Sequence, residues 1–169
     1  MQATLIYGPG DIRVETVEDP KILAPTDATI RLAATCVCGS DLWDYRGINP
    51  VSQPHPMGHE YAGIVEEVGS AVTTVRPGDF VIGSFFASDN TCEICQAGYQ
   101  SRCVHAVLMG TLGAQAEYLR VPLADGTLVA TPGQPDEDLI PSLLAAVGLG
   151  AVRREELPGI FRKERGRHV

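Results

Sequence analysis

Apolar and polar residues alternate in short runs from the N-terminus to Ala130, each run closed by turn residues. Residues 3–7 are apolar with β-branched content and stop at Gly8-Pro9-Gly10, which predicts a strand and a turn. Ile12, Val14 and Thr16 alternate with Arg13, Glu15 and Val17, the pattern of a half-buried strand. Further strands are predicted over 28–37, 60–68, 79–85, 117–121 and 127–130, with Pro77-Gly78 turning the chain before the one at 79. Helix is brief. One or two turns are predicted over 40–45 behind a Ser40 cap, and a longer helix over 136–147. In the latter, Asp136 and Glu137 suit the positive end, and Leu139, Leu143 and Val147 share a face. Pro141 moves its start inward, and Gly148-Leu149-Gly150 ends it. Many short strands with little helix between them predict a mainly β fold, a partly closed barrel or a sandwich.

Composition narrows the function classes. The 169 residues suffice for one domain with its own core and leave room for a fragment of a second. A net charge of −8 argues against nucleic acid or an anionic membrane as partner. The acidity is uneven: Arg153, Arg154, Arg162, Lys163, Arg165 and Arg167 outnumber Glu155, Glu156 and Glu164, so the composition breaks near Val152. No apolar run approaches membrane-span length, and residues 1–20 lack the pattern of a secretory signal. The expectation is a soluble, cytoplasmic protein in which a disulfide scaffold is a poor reading of the cysteines.

Two groups of residues carry candidate chemistry. The first is Asp89-x2-Cys92-x2-Cys95-x7-Cys103. Three thiolates and a carboxylate on one loop fit a closed, four-coordinate structural zinc site, with Gly98 allowing the return of the loop. Free core cysteines beside a solvated Asp, or a redox C-x-x-C, are the alternatives. The second group is Cys38-Gly39-Ser40-Asp41, after a predicted strand, and Gly58-His59-Glu60, before another. Taken singly, Cys36 and Cys38 read as core cysteines and His59 as a core histidine.

Together these segments say more. Gly58-His59-Glu60-x2-Gly63-x5-Gly69-x2-Val72 resembles the zinc signature of the medium-chain alcohol dehydrogenases. Cys38-Gly39-Ser40-Asp41 resembles that family's first-ligand segment, and the Asp89–Cys103 loop its structural-zinc lobe with an acidic first ligand. The resemblance runs from about Met1 to Ala146. It implies a GroES-like β-barrel with a zinc-binding lobe, and an oxidoreductase that interconverts a small alcohol and aldehyde with NAD or NADP. It further implies Cys38 and His59 as ligands of a catalytic zinc, with Glu60 as a carboxylate able to ligate or displace the zinc water. Ser40 would relay the alcohol proton, and Asp41 would hold the far nitrogen of His59. Asp89, Cys92, Cys95 and Cys103 would hold the structural zinc. Trp43 stands where the family often has a relay histidine, and reads either as a wall of the substrate pocket or as core packing.

The same resemblance marks what differs. Val147-Gly148-Leu149-Gly150-Ala151-Val152 resembles the opening turn of the family's cofactor site, but Arg153 stands at its third glycine. The stretch 139–152, where the family supplies a further zinc ligand, contains no Cys, His, Asp or Glu. The expected organisation is therefore a catalytic domain over 1–146 and a basic tail over 147–169 in place of the cofactor-binding domain. A non-catalytic zinc-binding β-domain is the alternative function.

Overall fold

In a computed structural model, residues 1–108, 112–133 and 140 are described. Among the described residues, ten strands carry the architecture. β1 (Gln2–Gly8) and β2 (Asp11–Thr16) form an antiparallel hairpin, and β4 (His55–Pro56) pairs on the other side of β1. A five-stranded antiparallel sheet has the order β10 (Leu128–Ala130), β6 (Phe80–Gly83), β5 (Tyr61–Val68), β3 (Ala28–Thr35), β9 (Tyr118–Val121). A two-stranded ladder of β7 (Phe86–Ala87) and β8 (Val107–Leu108) frames an outlying lobe.

The two larger sheets are joined through the residues just before β9. Ala3 bridges to Ala116, Thr4 N–H donates to the Gln115 carbonyl at 2.8 Å, and Leu32 N–H donates to the Glu117 carbonyl at 2.9 Å. One stretch of chain therefore serves β1 on one side and β3 on the other. The result is a mainly β, partly closed architecture, as the strand pattern predicts, and it agrees with the GroES-like fold that the resemblance implies.

The core explains the alternation. Ala28 and Ile30 of β3, Tyr61 and Val65 of β5, and Leu119 and Val121 of β9 are buried in one cluster with Val81 and Leu128. The opposite face of β5 and β6 is also apolar: Ala62, Phe80 and Ile82 are buried, with Ala34, Cys36 and Ile140 against them. Asp27 is the most deeply buried charged residue among those described, at 1% exposure. Its Oδ2 accepts from the Leu23 and Ala24 N–H groups at 3.0 and 2.8 Å and from Arg120 Nε at 2.7 Å. Burial would raise the Asp27 carboxyl, but these donors outweigh it and hold it below its usual value.

Each predicted strand is present with its ends shifted by a few residues, and three two-residue strands (β4, β7, β8) went unpredicted because they are too short for a period to show. β3 stops at Thr35, so Cys36 and Cys38 lie beyond the strand. The first predicted helix appears as α1 (Asp41–Tyr45). Its expected cap is corrected: Ser40 is itself in helical backbone conformation and makes no side-chain capping bond. The predicted helix over 136–147, apart from Ile140, and the segments 147–152 and 153–169 lie outside the described residues. Among the described residues, no helix is long and apolar enough to cross a membrane.

Candidate metal centres

Cys38 and His59 come from chain segments that the fold crosses over one another. Beyond β3, Asp41 Oδ2 accepts from the Cys38 N–H at 2.8 Å, and the Asp41 N–H donates to the Cys38 carbonyl at 3.2 Å. This reciprocal turn fixes Cys38 at the entry to α1. Gly58, with φ of +89°, aims the chain into His59 while its carbonyl accepts from Gly113 and Ala114. A Cβ there would sit 2.7 Å from the Gln115 backbone nitrogen, so only glycine fits. Glu60 is anchored by its carbonyl, which accepts from Thr35 Oγ1 at 2.9 Å and the Cys36 N–H at 3.4 Å.

The side chains then converge. One donor atom each from Cys38, His59 and Glu60 lies within 4.8 Å of the others. His59 and Glu60 are 7% and 9% exposed. Ser40 Oγ is 3.3 Å from His59 Nε2, and Asp41 Oδ1 is 3.4 Å from His59 Nδ1. That second contact is within ion-pair range but outside good hydrogen-bond geometry, which leaves Nδ1 buried and without a full partner. Asp41 and, next, Cys38 favour the imidazolium, raising His59 to about 9 against the effect of burial. Hydrogen bonding from Ser40, with a smaller contribution from His59, lowers the Cys38 thiol. The Phe85 ring meets the imidazole edge-on at 5.8 Å.

The second cluster is Asp89, Cys92, Cys95 and Cys103, again with donor atoms mutually within 4.8 Å. Cys92 precedes α2 (Glu93–Gln96) and its sulfur accepts the Cys95 N–H at 3.5 Å, while Cys103 follows a 3₁₀ turn at Gln100–Arg102 and accepts the His105 N–H at 3.4 Å. Gly98, at φ +89°, turns the loop between them as expected. Such N–H groups aimed at sulfur favour thiolate; the Cys95 N–H is the main cause of a Cys92 value near 7. Burial acts the other way on Cys95, which is pushed up to about 12.

Both donor sets fit zinc. A tetrahedral ion bound at its usual bond lengths separates two sulfurs by about 3.8 Å, and a sulfur and an oxygen by about 3.5 Å. Cys92 Sγ and Cys103 Sγ are 4.0 Å apart, and Cys103 Sγ is 3.3 Å from Asp89 Oδ1. Four donors close a site, whereas three leave a position for water or substrate. The lobe has four. The Cys38 cluster has three among the described residues.

Comparison with known proteins shows the family. Residues 24–132 match the alcohol dehydrogenase GroES-like domain. The chain belongs to that family. A medium chain reductase/dehydrogenase of an Acremonium species is 47% identical over 145 residues, which is 83% of this chain and 50% of that protein. Zinc-type alcohol dehydrogenase B of Aspergillus flavus is 41% identical, over 81% of this chain and 33% of that protein. Among solved structures, alcohol dehydrogenase TADH from Thermus sp. ATN1 superposes with a TM-score of 0.74 at 33% identity, over 82% of this chain and 42% of that one. This alcohol dehydrogenase GroES-like chain thus spans between a third and a half of the length of these relatives. The intact family uses zinc and NAD(P).

All nine residues singled out in the sequence lie in or against the two clusters. Trp43 is 54% exposed, which corrects its reading as core packing. Two neighbours, His105 and Phe85, escaped the sequence reading, and Cys36 read there only as a core cysteine. Cys36 Sγ donates to Glu60 Oε2 at 2.5 Å, His105 Nδ1 meets Asp89 Oδ2 at 2.5 Å, and Phe85 abuts His59. Cys36 and Phe85 are far from their partners in sequence and carry no local signal. His105, two positions past the last cysteine, was the one within reach of a spacing argument.

Proposed function

We propose that this domain is the alcohol-binding, zinc-bearing half of an NAD(P)-dependent alcohol/aldehyde oxidoreductase, with Cys38, His59 and Glu60 as ligands of the catalytic zinc. Asp89, Cys92, Cys95 and Cys103 hold a second, structural zinc. The observation that carries the reading is the contrast in donor number: a closed set of four in the lobe and an open set of three at the mouth of α1. When bound at the open set, zinc supplies a Lewis acid that polarises an alcohol oxygen and eases loss of its proton, so that hydride can pass from carbon to a nicotinamide.

The residues around that set divide the remaining work. Ser40, 3.3 Å from His59 Nε2, takes the alcohol proton while releasing its own towards water. Asp41 faces Nδ1 and fixes the imidazole so that Nε2 is turned to the donor cluster. Residues 1–146 form this unit, and 147–169 a basic tail. The test is cobalt(II) loading of the chain followed by titration with a primary alcohol. Visible bands that shift with alcohol and vanish in Cys38→Ser support the proposal. The absence of any alcohol-responsive band, or an alcohol-responsive band that survives Cys38→Ser, refutes it. Alcohol-dependent reduction of NAD or NADP, lost in the same variant, tests the hydride step.

A further inference from the structure

Cys36 belongs to neither donor set, yet it is tied to Glu60 twice. Its N–H donates to the Glu60 carbonyl at 3.4 Å, and its thiol donates to Glu60 Oε2. Its backbone is held by the end of β3 and its side chain packs on the cluster of Ala62, Phe80 and Ile82, so the thiol approaches the carboxylate from a fixed wall. The sulfur lies outside the group of atoms within 4.8 Å of one another, so it reaches the centre through Glu60 and not as a ligand.

A carboxylate offers two oxygens, and one with both free can chelate a cation and resist displacement. Here Oε2 already accepts a hydrogen bond, which draws charge from the carboxylate and engages one of its oxygens. We propose that Cys36 is a positioning residue for the catalytic metal: its S–H bond makes Glu60 a one-oxygen, displaceable ligand and keeps a coordination position open to the incoming alcohol. The inference rests on the metal-centre reading of Cys38, His59 and Glu60.

The test compares the cobalt(II)-loaded full chain with Cys36→Ala and Cys36→Ser, using imidazole as the exogenous ligand and the visible bands as readout. Loss of the thiol donor in Cys36→Ala frees Glu60 to compete, so imidazole binding weakens about fivefold and the ligand-free bands shift. Cys36→Ser, which restores a donor, stays near the parent on both measures. Equal imidazole affinity and bands in Cys36→Ala and the parent overturn the proposal, as does a Cys36→Ser that behaves like Cys36→Ala. If imidazole moves no bands in the parent, or moves them still in Cys38→Ala, the metal-centre reading itself fails and takes this inference with it.

Discussion

Replacing Cys95 with Ser should release the lobe from residue 89 to 106, because on the proposed reading little but a bound metal holds that segment. Only Cys95 and Cys103 are well buried there, at 2% and 8% exposure, whereas Ile94, Tyr99 and Val104 are 36%, 59% and 65% exposed. Ordering such a segment costs about 1–2 kcal/mol per residue in backbone entropy, and so few buried side chains cannot offset it. A structural zinc contributes roughly 10–16 kcal/mol in small domains, so loss of one ligand in four removes about 3 kcal/mol, or roughly a hundredfold in the closed population. Trypsin reads this directly, since it cuts after Lys or Arg, and Arg102, beside Cys103, is the only one of either between 89 and 106. When closing is faster than cutting, cleavage tracks the open fraction. Cleavage after Arg102 should therefore accelerate about a hundredfold in Cys95→Ser. Metal analysis should show one zinc fewer. A variant that keeps its full metal content, or whose cleavage rate stays within about twofold of the parent, would refute the assignment of a structural zinc to this lobe.

Cys38→Ser should cost the other zinc and leave the Arg102 site protected, and in the parent that zinc should leave first under chelator, as a three-donor set predicts; equal loss rates would contradict it. His105→Ala should speed metal release from the lobe by about tenfold, measured with a chromogenic chelator, because the imidazole braces the oxygen of Asp89 that faces away from Cys103. Asp27→Ala should lower unfolding stability by about 3 kcal/mol in denaturant titration, since it strands Arg120 and two N–H groups. The parent's Asp27 is held below its ordinary value, so its contribution is complete above that value, 3.8, and is lost as pH falls through the lower folded one; Asp27→Ala should flatten that acid limb.

What was legible in the sequence follows from range. The strands β1, β2, β3 and β5 run for six to eight residues between turns, long enough to register, and the lobe's donors lie within one loop, so their spacing alone reports a shared site. The Cys38 cluster is different in kind: Cys38 and His59 read singly as core residues, and a resemblance across several segments was needed to join them to Glu60. Ser40 shows the limit of local rules. Capping logic assigns its hydroxyl to the start of α1, but Ser40 is itself in helical conformation, not the extended one from which a cap reaches the first-turn N–H groups, and its hydroxyl faces His59. Cys36 shows the same limit from the other side. Its thiol meets a carboxylate 24 positions away, brought there by the pairing of β3 with β5, in which Thr35 stands opposite Tyr61. Register, not composition, sets Cys36 beside Glu60. A one-residue slip in that pairing would turn Glu60 to the other face and empty the open donor set while leaving the four-donor lobe intact. Integrity of the two metal centres is therefore separable, the lobe depending on its own loop and the Cys38 set on the β3–β5 ladder.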